Sequence, residues 1–248
     1  MDLALLASAK VGILSIVGIP IGNHDDISLR ALETLRSVDI VACEERKEAA
    51  RLLKRHTIEK PLVEVNEHTE EDVASELIEE LLGGRSVALI SDCGMPVFAD
   101  PGTKLIREAL QFSIPVRAIP GPTSLTTALA ISGIDTRRFY FYGFLSPKRE
   151  ERQRELRSLQ HFQSPVVFLD APYRLRQVLT DMVAVYGPNR EVCIACDLTM
   201  PGEFVLRGSF REAIHRFQSD ERRREYVIIV DAAPGSQRQS GRSTKRKE

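Results

Sequence analysis

The chain has 248 residues, 43% hydrophobic and 28% charged, with a formal net charge of −1. This is a globular composition, enough for one large domain or two small ones, and it contains no apolar run long enough to span a membrane. The opening MDLALLASAK carries Asp2 where a signal peptide would be positive. LLASAK resembles a cleavage site, but the following GILSIVG reads as a first strand, so a cytoplasmic protein is expected.

In chain order, the periodicities predict a strand near 12–18 and a helix near 26–37 capped by Asp25 or Asp26. DIVACE (39–44) reads as a strand, EAARLLKR (48–55) as a helix and LVEVN (62–66) as a strand. Thr69 and Asp72 have the spacing of a capping box for a helix with Val73, Leu77 and Leu81 on one face and Gly83 at its end. SVALIS and PVRAIP are the next strands, with TKLIREAL as the helix between them. Strands alternating with helices in this way imply a mostly parallel sheet.

PGPT (120–123) then breaks regular structure, and the domain boundary is placed there. Residues 1–120 are read as an N-terminal α/β domain and 121–233 as a C-terminal one. The second begins with the helix SLTTALAIS, the strand FYFYGF (139–144), a helix over 148–161 and the strand VVFLD (166–170). CIACD and EFVLRG are joined by LTMPG (198–202), too short for a crossover helix, so they should be antiparallel and the second sheet mixed. YVIIVD (226–231) is the final strand.

The tail, residues 234–248, sets Arg238, Arg242, Lys245, Arg246 and Lys247 against Glu248 and leaves −5 for the rest of the chain. Its polar composition predicts a disordered basic tail, either an RNA-contacting arm or a solubilising terminus. Lys148, Arg149, Arg152, Arg154 and Arg157 interleave with Glu150, Glu151 and Glu155, the pattern of a solvated helix face. FYFYGF would supply either base-stacking rings or a core strand with alternate residues buried.

Cys193 and Cys196 form a CxxC, but EVCIACDL alternates like a strand, and an odd offset sends the two thiols to opposite faces. Cys43 and Cys93 are isolated and the histidines lack ligand spacing, so no metal site is expected. Four cysteines suit a reducing compartment.

Glycine and proline cluster at three predicted strand ends: GIPIGN (18–23), SDCGMPVFADPG (91–102) and PGPTS (120–124). These ends form the rim where open α/β sheets bind ligands, so the three loops should converge on one crevice. Glycine there lets a ligand approach the backbone, and the first N–H groups of the following helices can bind carboxylate or phosphate. The glycine spacing is wrong for a dinucleotide loop, and GxxxxGK[ST], HExxH and GxSxG are missing.

VGIPIGNHDDISLRALETLRSVDIVACE, VALISDCGMPVFADPG, IPGPTSLTTALAISG, FYGFLSPK and LTMPGEFVLRG, in this order, resemble the small-subunit rRNA (cytidine-2′-O)-methyltransferase family. That family lies within the tetrapyrrole-methylase superfamily of S-adenosylmethionine-dependent enzymes. The resemblance covers residues 12 to about 231 and implies two α/β domains with the cofactor in the cleft between them, an RNA partner and a homodimer. It implies cofactor contacts from Pro20 and Ile21, from Asp92, Cys93, Gly94, Met95 and Phe98, and from Thr123 and Ser124. In the second domain it implicates Leu169, Asp170 and Ala171 together with Asp197, Leu198 and Thr199. The chain departs from the family pattern at Glu44–Lys47, where EDTR is general, in the loop at Cys93, Met95, Val97 and Phe98, and at Met200, where lysine is common.

For transfer to a ribose hydroxyl, a carboxylate or neutral lysine could accept the proton, and Glu45, Glu67, Asp100 and Glu203 are the candidates. Each also has a plain structural reading: Asp100 as a turn or helix cap, Glu45 as a solvated helix start, Glu203 as a strand-edge charge and Glu67 as a substrate hydrogen-bonding group. A same-fold methyltransferase for a tetrapyrrole or other small molecule, and a non-catalytic ligand- or RNA-binding module, are the competing functions.

Overall fold

The structure, a computed structural model, describes residues 11–66, 69–98, 100–220 and 222–234. Glu67, and the predicted tail from residue 235 on, lie outside the described residues. The chain divides between Thr123 and Ser124 into two compact units.

The first unit is a five-stranded sheet built from β1 (Leu14–Val17), β2 (Ile40–Cys43), β3 (Leu62–Glu64), β4 (Val87–Ile90) and β5 (Val116–Ile119). Their order is β3-β2-β4-β1-β5 and every pairing is parallel. The three central strands are buried throughout, because a parallel sheet needs helices on both faces. Alternate residues divide accordingly. Leu14, Ile16, Ile40, Ala42, Val87 and Leu89 pack beneath α3 (Glu70–Leu82) and α4 (Thr103–Gln111). Val17, Val41, Cys43, Ala88 and Ile90 pack beneath α1 (Leu29–Ser37) and α2 (Arg46–Arg55).

Two helix starts differ from the sequence expectation. Ser28, not an aspartate, caps α1 by accepting the Ala31 N–H at 3.0 Å. His24–Asp26 form a separate 3-10 turn capped by Asn23, so the aspartates lie before the helix. Thr69 is the cap position of α3, but its side chain makes no capping bond. Its hydroxyl instead pairs with Asn66, the competing local bond that short polar side chains offer the backbone.

The second unit holds β6 (Tyr140–Phe144), β7 (Val166–Asp170), β8 (Glu191–Cys196), β9 (Phe204–Ser209) and β10 (Tyr226–Val230), in the order β6-β7-β10-β8-β9. Only β6–β7 is parallel; the other pairings are antiparallel, which makes the sheet mixed. One face packs against α6 (Arg149–Ser158), α7 (Leu175–Tyr186) and α8 (Phe210–Phe217) through Phe168, Ile194, Met182 and Phe210. The remaining helix, α5 (Ser124–Ile131), packs on β10.

The charged helix α6 is not simply a solvated face. Arg152 is fully buried and bonds Asp181 of α7 at 2.7 and 2.9 Å, while Arg149 and Gln153 reach the other oxygen of the same carboxylate. A mixed-charge pattern cannot show which arginine faces a buried partner on another helix. Nor is FYFYGF a core strand: β6 is at the sheet edge, and Phe139, Tyr140 and Phe144 are exposed.

Candidate active site

Strand order explains how the site is built. β4, β1 and β5 are neighbours, so the loops that leave their carboxyl ends lie side by side. Ile19 donates to the Gly94 carbonyl at 2.9 Å, and the Gly94 N–H returns to Pro20 at 3.4 Å, forming an isolated antiparallel bridge. On the other side, a Cβ on Gly18 would stand 2.6 Å from the Gly121 nitrogen. That distance is closer than any side chain tolerates, so the two backbones meet only because both residues are glycine. The three glycine-bearing loops therefore converge within the first unit.

The middle loop is held in an unusual conformation. Gly94 has φ +76°, and Val97, a β-branched residue, has φ +72°. Glycine adopts this backbone freely, but at Val97 it costs about 1–3 kcal/mol and persists where surrounding contacts enforce it. Here the Val97 side chain packs on the core beneath α3 and α4. Glu70 fixes the far end of the loop: its Oε1 accepts from the Gly102 and Lys104 N–H groups at 3.0 and 2.8 Å. That carboxylate caps α4, whose own cap residue, Gly102, has no side chain to do so.

Two carboxylates of this loop, Asp92 and Asp100, lie close enough for the charge of Asp92 to act on Asp100. Asp92 accepts the Glu45 N–H at 3.0 Å, at the start of α2. Burial pushes the Asp92 carboxyl up; its bond to Glu45 opposes the shift, and the charges of Glu45, Glu48 and Glu64 add to it. Burial pushes Asp100 up to about 6, with Asp92 contributing in the same direction and a Ser91 hydrogen bond opposing both. Asp100 does not cap α4; Glu70 does. Cys93 and Phe98 are exposed on the loop, whereas Met95 is partly buried against the core.

In the second unit, β7 and β8 both run antiparallel to β10, so their carboxyl ends share one edge. Asp170 and Cys196 flank Tyr226 in register. Leu169, Asp170 and Ala171 thus lie on the same sheet edge as Asp197, Leu198 and Thr199. Asp170 is buried and forms an ion pair with Arg174 at 3.0 Å, and its Oδ2 has no hydrogen-bond partner. Asp197 and Thr199 have φ +50° and +65°. This turn is held by an Arg224–Asp197 ion pair and by Glu203, which accepts the Thr199 N–H at 2.8 Å. Glu203 is therefore committed to the turn, and the Asp197 carboxylate to Arg224. Thr123 ends the first unit and Ser124 opens α5.

Sequence reasoning missed Glu70, Arg174 and Arg224. The acidic start of α3 was a visible signal for the first. Arg174 stands four residues after Asp170, so its spacing was a signal too; Arg224 lacked one, because Asp197 follows a strand that pairs with β10 only in the folded sheet.

A parallel sheet with three glycine-bearing loops at the carboxyl ends of adjacent strands, followed in the chain by a mixed-sheet unit, defines a two-unit class of α/β protein. The chain matches the tetrapyrrole (corrin/porphyrin) methylase family over residues 14–214. It is 36% identical to the ribosomal RNA small subunit methyltransferase I of Bacillus subtilis over 225 residues, 91% of this chain and 77% of that protein. It is 40% identical to the protein of the same name from Thermotoga maritima over 220 residues, 89% and 98% of the two chains. Among solved structures, diphthine synthase aligns with a TM-score of 0.69 at 19% identity, over 89% of this chain and 90% of that one. Cobalt precorrin-4 methyltransferase aligns with a TM-score of 0.65 at 15% identity, over 88% and 94%. The chain belongs to the tetrapyrrole methylase family and, within it, to the small-subunit rRNA methyltransferase I branch; it is a methyltransferase.

Proposed function

We propose that the chain uses S-adenosylmethionine to methylate the ribose 2′-hydroxyl of a cytidine in small-subunit rRNA, as a cytoplasmic homodimer. The observation that carries the cofactor reading is the convergence of three glycine-bearing loops at the carboxyl ends of β4, β1 and β5, joined by the Ile19–Gly94 bridge and by the close approach of Gly18 to Gly121. The names of its relatives support RNA as the acceptor.

The residues fit such a cofactor. Pro20, Ile21, Asp92, Cys93, Gly94, Met95, Phe98, Thr123 and Ser124 are assigned to it from the loops. Leu169 to Ala171 and Asp197 to Thr199 are assigned to it from the second unit. The unpartnered Asp170 Oδ2 is an acceptor that a ligand donor would satisfy. When bound, S-adenosylmethionine supplies an already activated methyl group, and the protein contributes alignment and exclusion of water. Asp100 is assigned to take the proton from the ribose hydroxyl: it lies in the loop, and its affinity is raised toward neutral pH. Glu45 and Asp92 hold the loop to α2.

Calorimetric titration with S-adenosylhomocysteine tests the cofactor site. Binding to the wild type should be lost in Gly94→Trp, whose ring would fill the space between Ile21 and Pro122. Cys93 provides a second readout. It is exposed, whereas Cys43, Cys193 and Cys196 are buried with thiols pushed up, so Cys93 should be the site of alkylation and the ligand should slow it. A folded wild type that binds no S-adenosylhomocysteine, with or without rRNA, would sink this reading.

A further inference from the structure

One edge of the second sheet carries exposed rings beside exposed cations. β6, β7 and β8 end on this edge and β10 begins there, because β6 runs parallel to β7, while β7 and β8 both run antiparallel to β10. Phe144, the last residue of β6, is in register with Leu169 and 52% exposed. Tyr173, in the turn after β7, is 71% exposed.

Arg174 ties these two segments together. It is buried, pairs with Asp170 at 3.0 Å and donates to the Leu145 and Ser146 carbonyls at 3.1 and 2.7 Å. Phe144 and Tyr173 immediately precede the bonded residues, so a buried side chain fixes their backbones as neighbours while both rings stay in solvent. Single exposed apolar side chains are ordinary, but two large rings on fixed, adjoining segments form a surface.

The cations come one strand further along. Arg222 and Arg223 are exposed and lead into β10, whose Tyr226 is in register with Asp170. Adjacent strands are about 5 Å apart, so this segment enters the sheet next to the end of β7. Residues 216–225 hold four arginines against Asp220, Glu221 and Glu225. Exposure tilts that balance towards positive charge: the Asp220 side chain is 5% exposed, whereas Arg216 and Arg222, which pair with it, are 40% and 64% exposed.

A second copy of the chain fits this edge poorly, since a stable interface needs about 800 Å² per partner. Two rings of roughly 200 Å² each, 52% and 71% exposed, offer only about 250 Å². Sequence-tolerant binding of a single-stranded nucleic acid needs aromatic faces for bases and nearby cations for phosphates, and both are present. The rings also adjoin Leu169 to Ala171, assigned above to the cofactor, so RNA held here lies beside that strand end.

We propose that Tyr173 and Phe144 stack unpaired bases of the RNA substrate, with Arg222 and Arg223 holding its phosphates. This rests on RNA being the substrate. The test measures binding of a short, fluorescein-labelled single-stranded RNA of mixed sequence to the full chain across a salt series, with S-adenosylhomocysteine titrated in parallel. Tyr173→Ala with Phe144→Ala should weaken RNA binding roughly tenfold or more at every salt concentration, the scale of base–aromatic stacking, whereas Tyr173→Phe should bind like the wild type. Arg223→Gln, a surface change, should flatten the salt dependence by about 0.7, the share of one phosphate. The chain contains no tryptophan, so the emission of Tyr173→Trp reports on this position alone and should be quenched as unlabelled RNA binds. All these variants should keep S-adenosylhomocysteine affinity.

Aromatic variants that bind RNA like the wild type, an unchanged salt dependence in Arg223→Gln, unquenched emission, or undetectable binding by the wild type would each overturn the proposal. So would a Tyr173→Ala change that weakens S-adenosylhomocysteine binding and spares RNA, which would give the ring to the cofactor, or one that converts a dimer to a monomer by light scattering, which would give it to a second copy. Failure of the wild type to bind S-adenosylhomocysteine would instead count against the methyltransferase reading, so the two failures are distinguishable.

Discussion

Asp100 shows how one side chain can carry both a structural and a chemical consequence. Its folded pKa, about 6, lies above the usual carboxylate value of roughly 3.9, so folding favours its protonated form. The stability it contributes is fully present below about pH 4 and is lost as pH rises through about 6. Because the residue is only half-buried, screening reduces the loss to roughly 1 kcal/mol. Asp100→Asn should therefore be more stable than the wild type at pH 7, with a difference that shrinks toward pH 4. Urea midpoints across that range measure it, and a pH-independent gap would refute it. In single-turnover methyl transfer the same variant should lose at least a hundredfold, the typical contribution of a positioned base. Glu45→Gln should lose much less, since Asp92 bonds the Glu45 backbone and not its carboxylate.

At the scale of elements, carboxylates from one segment fix another. Asp181 on α7 neutralises the fully buried Arg152 on α6. Arg152 also donates to the Ser146 and Pro147 carbonyls, so the pair locks the turn after β6 as well as the two helices. Asp181→Ala would leave the guanidinium buried and uncompensated and should cost about 3–5 kcal/mol in chemical denaturation. The double change Arg152→Met with Asp181→Leu should recover most of it, because paired apolar replacements avoid the desolvation penalty. Glu70 plays the corresponding role for α4. Glu70→Ala removes the bonds to Gly102 and Lys104 and should destabilise by about 1 kcal/mol. It should also weaken S-adenosylhomocysteine binding, since the loop that starts α4 is the assigned cradle. A variant with full affinity would show that the loop holds its shape without the cap.

For the whole molecule, the assigned ligand should act as a folding partner. A ligand that binds only the native chain stabilises it by about 2.7 kcal/mol at a hundredfold excess over its Kd. Thermal unfolding with S-adenosylhomocysteine should therefore shift upward in the wild type and stay put in Gly94→Trp. An equal shift in both proteins would place the ligand elsewhere.

The alternation of strand and helix in the first unit was legible because it rests on local rules: apolar runs such as VALI form buried strands, and Leu77 and Leu81 lie on one helix face. The antiparallel β8–β9 pair was equally legible, since LTMPG cannot hold a crossover. The glycines and prolines marked three loops at strand ends for the same reason: their conformational limits belong to the residue itself. Partnership between distant residues was not legible. Ser28 rather than Asp26 caps α1, Glu70 caps α4, and Arg152 is buried while Arg154, on the same helix, is exposed. Each outcome depends on which surface another element presents, and a buried polar group takes the partner that satisfies it at the lowest cost in desolvation. Most elements of the first unit, their kind and the loops at its strand ends were thus written in the sequence alone, whereas α8 (Phe210–Phe217) was not anticipated. Only the tertiary structure made β4, β1 and β5 neighbours, so that Gly18, Gly94 and Gly121 meet at one place.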